Sequence, residues 1–119
     1  MTQQIHEGPL PSSTGRRPFV ADPIGVPGLY QQVCPRRVRA LVWSTVPGDV
    51  AVEEVKVDHP GEFAGSATTF AKPSTREKPW VVEADVWADN KVRLYFRTKD
   101  GTPANGGYIV ELVEDMAHV

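Results

Sequence analysis

The sequence predicts an all-β fold, a small antiparallel β-sandwich or barrel of about six strands behind an extended, Pro/Gly-rich N-terminal arm. Three observations carry this. From Val38 onward, short runs of alternating apolar and polar residues are separated by turn residues such as Pro47-Gly48, Pro60-Gly61 and Asn105-Gly106. The only stretch open to a helical reading, Glu111 to Val119, is too short to change the class. Six of the 11 prolines and four of the 10 glycines fall within the first 35 residues, which show no hydrophobic periodicity. That composition belongs to extended chain. The expected division is therefore an arm over residues 1–35 and a β-domain over residues 36–119.

The elements follow in order. Val38 to Trp43 is apolar on both faces, as expected of a central strand. Pro47-Gly48-Asp49 reads as a turn with Gly48 at positive φ. In Val50 to Val57 the apolar residues change parity at Glu53-Glu54, and a β-bulge there restores the phase. The small residues from Phe63 to Ala71 suit a weak or edge strand, and Lys72 to Pro79 is a polar exposed loop.

Trp80 to Trp87 and Lys91 to Arg97 each place apolar residues on one face: Val82, Ala84 and Val86 in the first, Val92, Leu94 and Phe96 in the second. A three-residue loop, Ala88-Asp89-Asn90, would pair them as a hairpin with matching faces. Asp85 would then oppose Arg93, and Trp87 would oppose Lys91. Trp80 has the opposite parity to Trp87 and belongs to the core. Tyr108 to Val113 forms the last strand, ahead of a short acidic tail.

Composition limits the chemistry. The 119 residues carry 13 Lys+Arg against 15 Asp+Glu, for a net charge of −2. The charges are unevenly spread: residues 1–44 hold five arginines against Glu7 and Asp22, so a basic arm meets an acidic body. The longest uninterrupted apolar run, Ala40 to Trp43, is far short of the ~20 residues of a spanning helix. No basic region followed by an apolar stretch opens the chain, so neither a secretory leader nor membrane association is expected. Cys34 is the only cysteine, which rules out an internal disulfide and fits a reducing cytosol. Lying between Val33 and Pro35, with Arg36 and Arg37 close behind but no histidine beside it, it reads as a small apolar residue where arm meets domain.

The three histidines, His6, His59 and His118, have no metal-ligand spacing. Ser44, Ser66 and Ser74 lie in no nucleophile-elbow pattern, and the glycines form no phosphate loop. Glu83 and Asp85 share a face beside basic residues, as on a solvated sheet. No catalytic, cofactor or metal site is expected, and the chain does not read as an enzyme.

Partner contacts are a different matter. Arg36, Arg37 and Arg39 form the strongest basic cluster, with Arg16 and Arg17 the second. Because the body is acidic and no aromatic platform is interleaved with the arginines, nucleic acid is a poor fit. Bidentate contacts to carboxylates of a neighbouring protein are a better one. Trp87 and Tyr95, both on the wet face of the expected hairpin, are candidate contact aromatics. They also support an alternative reading, a soluble binding module for a carbohydrate or peptide.

A long non-globular arm on a small β-domain resembles the small decoration, cement and connector proteins of tailed-phage virions, including phages of actinobacteria. The resemblance lies in the plan of the whole chain. It implies a non-enzymatic role, strapping capsomers or sealing a head–tail junction in many copies. It further implies protein partners such as a major capsid protein and copies of the chain itself, and a place in the virion after synthesis in the host cytoplasm; otherwise the chain would be cytoplasmic.

Overall fold

The computed structural model describes residues 2–10, 36–55, 63–64, 68–86, 91–98 and 104–113. Among them are eight strands: β1 (Thr2–Pro9), β2 (Arg36–Ser44), β3 (Gly48–Val55), β4 (Phe63–Ala64), β5 (Thr68–Phe70), β6 (Trp80–Val86), β7 (Lys91–Thr98) and β8 (Gly106–Val113). They form two antiparallel sheets. Sheet A has the order β1-β8-β2-β6, and sheet B groups β4, β5 and β7 around β3. Since β7 pairs with β3 along its whole length, from Gly48↔Thr98 to Val55↔Lys91, the short β5 and β4 share the other edge of β3.

The alternation read in the sequence decides which way each strand faces. Val38, Ala40 and Val42 of β2, Val86 of β6, Val110 and Leu112 of β8, Val50 of β3, and Val92 and Leu94 of β7 are buried between the sheets. Each such Val or Leu side chain contributes about 1.5–3 kcal/mol by leaving water. Trp80 is core, as its parity indicates. It stacks on Phe70 at 4.9 Å and faces Phe96 at 6.4 Å, and its indole N–H donates to the Lys72 carbonyl at 3.1 Å. The ring thus ties the loop after β5 to the core.

Several expectations need correction. The expected hairpin between Trp80 and Arg97 does not form: β6 pairs with β2, β7 pairs with β3, and the two strands belong to different sheets. Matching inward faces are needed equally by two strands paired in one sheet and by two strands facing each other across a sandwich, so parity alone could not separate these. Asp85 consequently lies opposite Arg37 instead of Arg93. The bulge at Glu53-Glu54 is also absent, because the β3–β7 register runs unbroken through both residues. Burial of Glu53, on the face away from the core, removes the need for it: Ala51 and Glu53 are both buried although they point outward.

The turn after β2 falls at Thr45-Val46, before Gly48, which is already extended in β3. The buried Ser44 hydroxyl makes it, donating to the Val46 carbonyl at 2.8 Å and accepting from the Val46 N–H at 3.1 Å. Gly48 is required for another reason: a Cβ there would sit 2.6 Å from the Arg97 carbonyl oxygen on β7.

The arm boundary changes as well. Thr2–Pro9 pair with β8 from Thr2↔Val113 to Pro9↔Gly107, so residues 2–9 belong to sheet A. Only residues 11–35 of the expected arm remain, and they lie outside the described residues. Extended composition is shared by free chain and by an edge strand, and β1 has edge character, with an irregularity between Gln4 and His6 and a proline at its end.

Candidate protein-contact face

The outward face of sheet A brings together residues that the sequence scatters over seventy positions and more. Registers on both sides of β2 set them in rows. Arg37 lies between Asp85 and Val113, Arg39 between Glu83 and Glu111, and Leu41 between Val81 and Ile109. One step further, Trp43 lies beside Gly107. None of these outward side chains is fully buried, and Val81, at 48% exposure, is the most exposed large hydrophobic residue among those described.

The face has two halves. Toward the start of β2, Arg37 Nε lies 3.5 Å from Asp85 Oδ1 and Arg39 Nη2 lies 3.5 Å from Glu83 Oε2. Both pairs are solvent-exposed and each contributes about 0–1 kcal/mol, so they orient the guanidinium groups more than they stabilise the sheet. The same geometry forms a shallow depression lined by Arg37, Glu83, Ala84 and Asp85. Toward the end of β2 the face is apolar: Val81, Leu41 and Ile109 form a row across three strands, flanked by Trp43. The Arg76 guanidinium sits 5.4 Å from the Trp43 ring centroid.

Glycine shapes this end. A Cβ on Gly107 would come within 2.7 Å of Trp43 Cζ2, so the missing side chain lets the indole lie flat on β8. The Lys72–Pro79 loop, polar and mostly exposed as expected, is fixed here by Ser74. Its hydroxyl donates to the Val42 carbonyl at 3.2 Å and accepts from the Ser44 N–H at 3.1 Å. The Ser44 and Ser74 hydroxyls are thus occupied in holding backbone.

The partner residues read from sequence are divided by the fold. Arg37 and Arg39 lie on this face and engage carboxylates of their own chain; Arg36 opens β2 opposite Val86. Tyr95 lies on the opposite side of the sandwich, the outward face of sheet B, opposite Ala51 and between Arg93 and Arg97 along β7. Arg97 there pairs with Asp49 at 3.2 Å, and Asp49 also accepts from the Thr69 hydroxyl at 2.8 Å. Arg16, Arg17 and Trp87 lie outside the described residues. The structure therefore does not join Tyr95 to the arginines. It adds Leu41, Trp43, Val81 and Ile109; the signal for Leu41 and Trp43 was present in the two-faced apolarity of Val38 to Trp43, while Val81 and Ile109 join them only through the pairing of β6 and β8 with β2.

Two polar atoms stand out. Arg39 Nε and Glu53 Oε2 are buried without a hydrogen-bond partner among the described residues. Burial raises the Glu53 carboxyl above its ordinary range, and Arg93 opposes this more weakly. Burial also raises the Tyr108 hydroxyl. Among the described residues no group of three or more His, Cys, Asp or Glu side chains is placed to hold a metal ion, and no helix is long and apolar enough to cross a membrane.

Comparison with protein-family models, with curated proteins and with solved structures finds no match.

Proposed function

We propose that the chain is a non-enzymatic structural protein of a larger assembly, a virion decoration, cement or connector component, and that the outward face of sheet A is where it meets protein subunits. The observation that supports this best is the row Val81–Leu41–Ile109 with Trp43 beside it, an outward apolar strip bordered by oriented arginines and carboxylates. An apolar centre with a polar rim and available aromatic and arginine groups is the composition of a protein interface. Nucleic acid fits this face poorly, because carboxylates flank its guanidinium groups.

Sedimentation of the protein from its native source tests the reading. The full chain should travel with a large particle and be released from it at a fixed stoichiometry. Recovery only as free protein, at every salt concentration tried, would remove the assembly role.

A further inference from the structure

We draw no further inference here: the strongest candidate, the outward apolar row of Val81, Leu41 and Ile109 across β6, β2 and β8 of sheet A, belongs to the contact face already described, and nothing in the structure shows which molecule covers it.

Discussion

Tyr108 Oη lies 3.0 Å from His6 Nδ1, and the two rings stack with centroids 5.6 Å apart, although 102 residues separate them in the chain. With the imidazole proton on Nε2, the hydroxyl donates to Nδ1. Tyr108 is buried, so its hydroxyl needs a partner, and β1 supplies one. This pair fastens the first strand to the sheet. Tyr108→Phe removes the bond and leaves the stack, and should cost about 0.5–1.5 kcal/mol. Differential scanning calorimetry should show a fall of several degrees, and hydrogen exchange should show the amides of β1 losing protection before those of β2. Unchanged protection in β1 would mean that the ladder to β8 holds it without the hydroxyl.

Gly107 should not tolerate a side chain. Alanine there would push against Trp43 Cζ2 at 2.7 Å and the Gly8 carbonyl oxygen at 3.0 Å. Overpacking of this kind costs about 1–3 kcal/mol. Because the indole is one of the two obstacles, Trp43→Ala combined with Gly107→Ala should cost less than the two single changes together, as urea unfolding of the four proteins would show. Strict additivity would mean that the indole moves aside freely.

Glu53 gives a pH dependence whose sign follows from its surroundings. Its folded carboxyl is raised above the ordinary value, chiefly by burial. The native state then holds the proton more tightly than the unfolded state. The associated stability is fully present below the unfolded pKa and is lost as pH rises through the folded one. Glu53→Gln removes the charge that is costly to bury, so it should raise stability at neutral pH, by about 1 kcal/mol, with the gain vanishing in acid. Thermal midpoints measured between about pH 4 and pH 8 would check this. A loss at neutral pH would show that attraction to Arg93 outweighs burial.

Ser44 and Ser74 form a small, partly buried network linking the end of β2, the turn after it and the Lys72–Pro79 loop. Ser74→Ala should strand the Ser44 N–H and a Val42 carbonyl acceptor at once, costing about 1–3 kcal/mol. Limited proteolysis should then cut between Lys72 and Lys78 in the variant well before it cuts the wild type. Equal cutting rates would place the loop's order in the Trp80–Lys72 bond instead.

Much of this fold was legible because alternation survives single-sequence reading. Val82, Ala84, Val86, Val92, Leu94 and Phe96 all face the core as their parity requires, and Trp80 joins them. Pairing was less legible. β6 and β7 have compatible faces and a short connection, yet the sandwich sends them to different sheets, and nothing local distinguishes that from a hairpin. β1 was hidden for a related reason. Its polar residues and terminal Pro9 suit an edge, and its partner lies at the far end of the chain. The contact face was half visible: Arg37 and Arg39 stood out as charges, while Leu41, Val81 and Ile109 become a row only once β6, β2 and β8 lie side by side.

The central claim is that sheet A meets other protein through its outward face, and particle occupancy tests it most directly. The full chain carrying both Leu41→Glu and Val81→Glu should be compared with wild type and with Lys91→Glu on sheet B, each shown by circular dichroism to be folded. Quantitative mass spectrometry of the sedimented particle should find the Lys91 variant at wild-type occupancy and the Leu41/Val81 variant reduced at least about tenfold, the equivalent of 1.4 kcal/mol. Equal occupancy of all three would contradict the account.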